Sequence, residues 1–306
     1  MSKPRAFLAD PRGAALTALL VYIAFNWLLP LAPLPPRHLG IAVLGAMLLL
    51  ATAAFMLLQI WLAQVIVNLR SSPAVAGLMA ALFTLLWFGG VVALHPSFER
   101  SLLLGLAITL GCSCLGILLA QIIREPNMLL PVALVAMPID YLGAMTQIGF
   151  TQNAVAQNPK LVQSLSVPVP SLGGGLHPLG YIGPGDALFL AFFFAVVQRL
   201  QMNRRGTFWL MYGLLTATML IVLVTGVNIA ALIPMGLTVL IANRAYFRLK
   251  REELFATLYA GTLVLVLVTG FYLYSHTHFY HADPQGDIHA PLSPTRPTPS
   301  RPAGNG

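Results

Sequence analysis

Long apolar segments divide this chain, and short polar segments separate them. Nine segments of at least 16 mostly apolar residues can be marked: 13–33, 39–67, 73–94, 101–123, 127–150, 179–200, 206–225, 227–242 and 251–274. Each is a continuous run without the alternation of a membrane β-strand, and a helix needs roughly 20 such residues to cross a bilayer. The pattern predicts an all-α polytopic membrane protein with about nine transmembrane helices. The eighth segment is short and is expected to be partial or broken.

The composition excludes a soluble globular protein. Of the 306 residues, 58% are hydrophobic and 8% are charged, whereas soluble domains carry about 25% charged residues. The net charge is +8, which in a soluble protein would suggest nucleic acid as a partner. Here Lys and Arg lie at the ends of apolar segments, and the positive-inside rule explains them more simply. We therefore expect a lipid bilayer around the protein and no nucleic-acid partner.

The basic residues also predict an orientation in the membrane. If the nine segments cross in alternation, 12 basic residues fall on the side of the N-terminus and 5 on the opposite side. The larger group is Lys3, Arg5, Arg12, Arg70, Arg124, Arg199, Arg204, Arg205, Arg244, Arg248, Lys250 and Arg251, and the smaller is Arg37, Arg100, Lys160, Arg296 and Arg301. Basic residues concentrate on the cytoplasmic side. The N-terminus is therefore predicted in the cytoplasm and the C-terminus outside, in the inner (plasma) membrane.

The cysteines and the C-terminal tail offer little chemistry. Cys112 and Cys114 lie two residues apart in one apolar segment, so on a helix they point to different sides and do not pair. Residues 275–306 form a tail rich in Pro, Ser and Thr that is predicted to be disordered. Its histidines and aspartates are better explained by a solvated polar tail than by a metal site, since composition alone defines no ligand set.

Two carboxylates lie where acidic side chains are rare. Seven of the nine acidic residues fall in loops, tails or segment ends, and the other two, Asp140 and Asp186, lie inside apolar segments without a Lys or Arg nearby. A carboxylate at the bilayer centre costs about 2.5–3.5 kcal/mol on insertion scales. Such residues persist where they face a polar cavity, pair with another group or take part in chemistry.

The two aspartates lie on consecutive segments, and consecutive antiparallel helices are usually neighbours. Carboxyl groups that meet away from bulk water share one proton and titrate as a coupled pair. One can then take a proton from water while the other polarises a carbonyl, which is the chemistry of an aspartic protease. Structural roles are the alternatives. If Pro184 begins its helix, Asp186 is a first-turn acid favoured by the helix dipole, and Asp140 could serve as a proton relay or an interhelical hydrogen-bond partner.

Glycine and proline mark these segments as irregular. Gly183 and Gly185 allow a close approach of the backbone, and Pro138 and Pro234 interrupt the helical hydrogen bonds of their segments. Broken helices at membrane depth usually line a protein cavity or water. A cavity near the two aspartates is therefore expected.

Gly183-Pro184-Gly185-Asp186 resembles the Gly-x-Gly-Asp motif of intramembrane aspartyl proteases, the presenilin and signal peptide peptidase family. In that family a first Asp lies on the preceding span, usually after a Tyr. Asp140 matches this position, although Tyr141 follows it instead of preceding it. The family also has a Pro-Ala-Leu motif two spans after the second Asp; Leu232-Ile233-Pro234 stands there and retains the proline. The resemblance covers roughly residues 127–242.

This resemblance implies a presenilin-like fold and an aspartic endopeptidase that cleaves transmembrane segments of substrate proteins. Asp140 and Asp186 would be catalytic, and the supporting or substrate-binding residues would be Tyr141, Gly183, Pro184, Gly185 and Pro234. No metal or cofactor is implied. The chain would divide into a four-span scaffold (1–126), a catalytic core (127–250), a last span (251–274) and the tail (275–306).

Two alternatives remain open. Prepilin peptidases also use Gly-x-Gly-Asp, but they typically continue with a Lys, where this chain has Ala187. A proton-coupled transporter or channel is the alternative from another class, because discontinuous helices with buried acids near the midplane also describe such proteins. The substrate and the oligomeric state are not defined by the sequence.

Overall fold

The computed structural model describes residues 10–32, 40–69, 71–95, 97–145, 163–173, 178–226, 229–248 and 250–279. The α-helices in these ranges are α1 (Pro11–Leu28), α2 (Gly40–Asn68), α3 (Pro73–Ala93), α4 (Phe98–Leu119), α5 (Leu129–Met145), α6 (Pro184–Arg199), α7 (Arg204–Thr225), α8 (Leu232–Ala242) and α9 (Arg251–Phe279). Short 3-10 turns cover Leu29–Leu31, Pro126–Met128 and Arg244–Tyr246. Each of the nine predicted apolar segments therefore contains a helix.

Local signals in the sequence set where several helices begin. Ser72 and Ser97 cap α3 and α4 by accepting hydrogen bonds from the backbone N–H groups of Val75 and Arg100. Asn203 caps α7 in the same way. Side-chain oxygens at these positions satisfy N–H groups that lack a partner in the first helical turn. The C-terminus of α7 is set by Gly226, whose positive φ of 69° ends the helix in the left-handed conformation.

Within the described ranges, six helical segments are long and apolar enough to cross a membrane: Pro11–Leu31, Ala42–Asn68, Pro73–Ala93, Phe98–Leu119, Pro126–Gly143 and Arg204–Thr225. The prediction of a mostly helical membrane protein is confirmed. Two of the predicted spans contain short helices, since α6 has 16 residues and α8 has 11. The predicted break in the eighth segment lies before the helix, because α8 begins only at Leu232 and Pro234 falls in its first turn, where a proline lacks no helical hydrogen bond.

Other boundaries differ from the sequence prediction. Residues 180–182, expected at the start of the sixth span, form strand β2 (Gly180–Ile182), which pairs antiparallel with β1 (Val167–Val169) from the predicted loop. Helix α9 runs to Phe279, so its last turn includes residues that were assigned to the tail. The remainder of the tail, 280–306, lies outside the described residues. Cys112 and Cys114 are both free, as predicted.

Contacts divide the chain into two units, residues 1–268 and 269–306. The second unit contains the C-terminal part of α9, and all interactions discussed below belong to the first. Within that unit α6 is the central helix, packed mainly against α4 and α2. From Leu190 to Val197 its side chains are almost completely buried. A short helix is sufficient here because protein, rather than lipid, surrounds it.

The strand pair lies beside the N-terminal part of α4. A side-chain carbon at Gly105 would meet Pro168 at 3.0 Å, so the absence of a side chain lets β1 pack against the helix. Val167 and Val169 are buried in this contact. The strand pair thereby fixes β2, and β2 leads through Gly183 directly into α6.

Hydrogen bonds join loops that the charge pattern assigns to the same side of the membrane. At one end the side chain of Arg199 donates to the carbonyl of Ala120, and Asn127 exchanges hydrogen bonds with the backbone of Arg248. At the other end the indole of Trp87 donates to the carbonyl of Ser164. The first end, which carries Arg124, Arg199, Arg204, Arg205, Arg244 and Arg248, is called the arginine end below.

Candidate functional site

Asp140 lies on α5 and contacts the beginning of α8. Its Oδ2 atom accepts a hydrogen bond of 2.9 Å from the backbone N–H of Leu232, the first residue of α8. Gly236 permits this approach, because a side-chain carbon there would meet Met137 of α5 at 2.9 Å. Pro138 lies inside α5, two residues before Asp140. Asp140 therefore caps a helix that lies 92 residues further along the chain.

Asp186 is the third residue of α6 and caps its own helix. Gly183 is the N-cap and Pro184 the first helical residue, which is the arrangement that the sequence suggested for a structural role. The Oδ2 atom of Asp186 accepts a 3.2 Å hydrogen bond from the N–H of Gly183. Gly183 has no side chain to return the bond, so only one half of a capping box is formed.

Both carboxyl groups line one cavity of about 510 Å³. Each of the two side chains is only partly buried. The rest of the lining is apolar and comes from α5, α6 and the first residue of α8, namely Pro131, Val132, Val135, Ala136, Ile139, Gly185, Phe189 and Leu232.

The cavity exists because α5 and α6 barely touch. Helix α5 packs against α8, and contacts between α5 and α6 are sparse among the described residues. Sequence analysis expected α5 and α6 to be neighbours because they are consecutive in the chain. In the described residues they make few direct contacts with each other. The two carboxyls nevertheless line the same groove, although α5 packs against α8 and not against the central helix.

Three chain elements reach the groove at the same depth. Asp140 follows the start of α5 by 11 residues, Asp186 precedes the end of α6 by 13, and Leu232 precedes the end of α8 by 10. At 1.5 Å per residue, all three lie about 15–20 Å from the arginine end. Helices α6 and α8 thus begin at this depth, with their N-termini at the groove. Positive partial charge at both N-termini favours carboxylate groups there.

The other predicted site residues divide into two groups. Gly185 lines the groove, and Gly183 and Pro184 form the cap that positions Asp186. Tyr141, with 44% of its surface exposed, is not part of the cavity lining, and neither is Pro234, which is buried in the first turn of α8. The structure gives Pro234 a place in helix packing instead of at the groove surface.

Sequence analysis missed two features of the site. One is the N–H group of Leu232, for which a long-range backbone contact leaves no signal in the sequence. The other is the apolar face of α5 formed by Val132, Val135, Ala136 and Ile139. Counting backwards from Ile139 and Asp140 in steps of four residues could have identified this face, since positions four apart share one side of a helix.

Fold and site together define a mostly helical membrane protein in which two carboxyl groups share one interior groove. Comparisons of the chain with family models, with curated proteins and with solved structures find no match. The described residues contain no group of three or more His, Cys, Asp or Glu side chains placed to hold a metal ion.

Proposed function

We propose that this protein is an intramembrane aspartyl protease, with Asp140 and Asp186 as its catalytic pair. The carrying observation is that the only two aspartates inside apolar segments line the same groove. Buried carboxylates are costly in a membrane protein and are retained where they have a role. The Gly183–Asp186 motif, at the start of α6, supports the same proposal by its resemblance to the presenilin and signal peptide peptidase family.

The reaction needs one proton shared between the two carboxyls. The ionised carboxylate takes a proton from a water molecule as the water oxygen bonds to the peptide carbonyl carbon. The protonated carboxyl gives its proton to the carbonyl oxygen, which forms a gem-diol. The C–N bond then breaks, the nitrogen takes up a proton, and the products are an amine and a carboxylic acid. Hydrolysis consumes one water and requires no cofactor.

A substrate must be unwound, because a helix hides its peptide bonds in its own hydrogen bonds. Among the described residues β2 pairs only with β1, and it ends one residue before Gly183. An extended substrate segment could add to the second edge of β2 by backbone hydrogen bonds. Such a strand would lead the peptide towards Asp186.

The decisive experiment uses the purified protein in lipid vesicles with single-span reporter peptides. Asp140→Asn and Asp186→Asn should each lower cleavage at least 1,000-fold, because either change removes one of the two proton-transfer roles. Asp10→Asn makes the same change at the exposed N-cap of α1, outside the cavity lining, and is the matched control that should retain activity. Cleavage that persists in both Asn variants would overturn the proposal.

A transporter is the second candidate, and one observation favours it. Helices α6 and α8 both begin at one cavity, as the broken helices of transporters do. The same vesicles distinguish the candidates, since a transporter would show proton-dependent flux that both Asn variants abolish without any peptide cleavage. The prepilin peptidase alternative is the less favoured protease, because Ala187 stands where those enzymes typically have a Lys.

We also propose that α6, α8 and α9 cross the membrane fully or in part. Together with the six long apolar segments they would make nine spans in a presenilin-like arrangement. The charge pattern would place the arginine end in the cytoplasm, with the C-terminus outside and the protein in the inner (plasma) membrane. Loops that the charge pattern assigns to one side are joined by hydrogen bonds, as between Asn127 and Arg248, which supports this alternation.

A further inference from the structure

Among the described residues, the groove extends along α5 to one side of the two carboxyls only. Its α5 lining runs from Pro131 to Asp140 in one helical stripe, and nine residues of helix span about 13 Å. The contribution of α6 is limited to Gly185, Asp186 and, one turn deeper, Phe189. The carboxyls therefore lie at one end of the groove, and the remainder is an apolar channel that leads towards the arginine end.

We propose that this channel is a specificity subsite for about four extended, apolar substrate residues on one side of the cleaved bond. The inference rests on the proposed protease function. Extended chain advances about 3.3 Å per residue, so a 13 Å channel holds about four residues. The proposed reaction requires this segment to be unwound, because a helix keeps its peptide bonds in its own hydrogen bonds.

The position of the channel fixes which substrate residues it binds. They lie between the cleaved bond and the arginine end, which the charge pattern places in the cytoplasm. For a substrate whose N-terminus is cytoplasmic, the bound residues precede the cleaved bond. For a substrate of the opposite topology, they follow it.

Ala136 sets the size of the channel close to the carboxyls. It lines the groove one turn from Asp140, about 6 Å along the helix axis. At about 3.3 Å per extended residue, it lies beside the second substrate residue from the cleaved bond. Val135, the neighbouring lining residue, borders the same position. A larger side chain at Ala136 should narrow this part of the channel, and a smaller one at Val135 should widen it.

The first test compares reporters that carry Trp or Ala at each position around the cleaved bond. Ala136→Phe should lower cleavage at least tenfold for reporters with Trp at the second position on the arginine-end side, relative to Ala there. Val135→Ala should increase cleavage of the same Trp reporters. For Trp on the opposite side of the cleaved bond, the ratio of Trp-reporter to Ala-reporter cleavage should be the same in both variants as in the wild-type protein. Ala81→Phe makes the same change at an exposed position of α3 and is the matched control.

The second test measures binding without cleavage. The Asp186→Asn variant, with a photo-crosslinking residue in place of Val132, should crosslink to substrate residues three or four positions from the cleaved bond on the arginine-end side. The subsite proposal would be overturned if Ala136→Phe lowered cleavage equally for Trp on either side of the cleaved bond. Crosslinks to substrate residues on the side away from the arginine end would also overturn it. If the wild-type protein does not cleave but these crosslinks form, the protease proposal fails while the peptide-binding channel stands.

Discussion

At the scale of single residues, the two aspartates hold structural positions as well as candidate catalytic ones. Asp186 caps α6, and Asp140 caps α8 from another helix. A carboxylate at a helix N-terminus is favourable whatever else it does. Helix capping alone does not account for both groups sharing one groove, since a cap at each helix would be equally effective in separate places. The two roles can be separated by substitution.

Asp140→Asn and Asp140→Ala should differ in stability and agree in activity. Asn retains an oxygen that can accept the hydrogen bond from Leu232 N–H, whereas Ala removes it, and loss of a cap costs about 1 kcal/mol. We expect denaturant titration in detergent to show a lower unfolding free energy for Ala only. Cleavage should be lost in both variants. If cleavage instead followed stability, with Asn active and Ala impaired, Asp140 would be a cap and not a catalytic group.

Sequence analysis anticipated that Asp186 could cap α6, but it did not predict that Asp140 caps α8. Gly183, Pro184 and Asp186 are adjacent in the chain, so the rules for helix N-termini were sufficient to anticipate the cap. The contact between Asp140 and Leu232 joins positions 92 residues apart. It depends on how α5 packs on α8, which no local pattern encodes.

At the scale of helices, the apolar pattern located every described helix, but it did not locate the strand pair or predict how the helices pack. Side chains that face lipid and side chains that face protein are both apolar in a membrane protein, so hydropathy does not distinguish them. Phe193 of α6 is completely buried while Leu85 of α3 is 68% exposed, yet both lie in similar apolar runs. Small residues carry more information. Gly116 of α4 lies against α6, and a side-chain carbon there would come within 2.6 Å of the carbonyl oxygen of Leu188.

Gly116→Ala should therefore destabilise the protein by about 1–3 kcal/mol, the usual cost of overpacking. The obstructing atoms belong to the backbone of α6, which cannot move aside without displacing the helix that carries Asp186. Gly213→Ala in α7 is the matched control, because no atom lies within 4 Å of its added carbon. A Gly-to-Ala change in a helix is otherwise neutral or stabilising. Equal unfolding free energies for both variants would contradict the close packing of α4 and α6.

At the scale of the whole molecule, the groove follows from the different lengths of the helices around it. Helix α7 has 22 residues and α8 has 11, or about 33 Å and 16 Å. Measured from the arginine end, α8 therefore begins about halfway along the length of α7, beside Asp140. Non-helical backbone at membrane depth is tolerated where it lines a protein cavity. Sequence analysis anticipated a broken eighth segment, but the meeting of its N-terminus with Asp140 required the tertiary structure.

The two ends of the molecule should lie on opposite sides of the membrane, and cysteine labelling can test this. In a variant without Cys112 and Cys114, single cysteines at His95 and Tyr181 should react with a membrane-impermeant maleimide in intact cells. A cysteine at Arg205, at the arginine end, should react only after the membrane is opened. All three positions are exposed, so differences in reactivity report the side and not burial. The reverse labelling pattern would invert the orientation and place the channel on the outer side of the cleaved bond. Labelling of all three cysteines from outside would contradict the alternation of the helices.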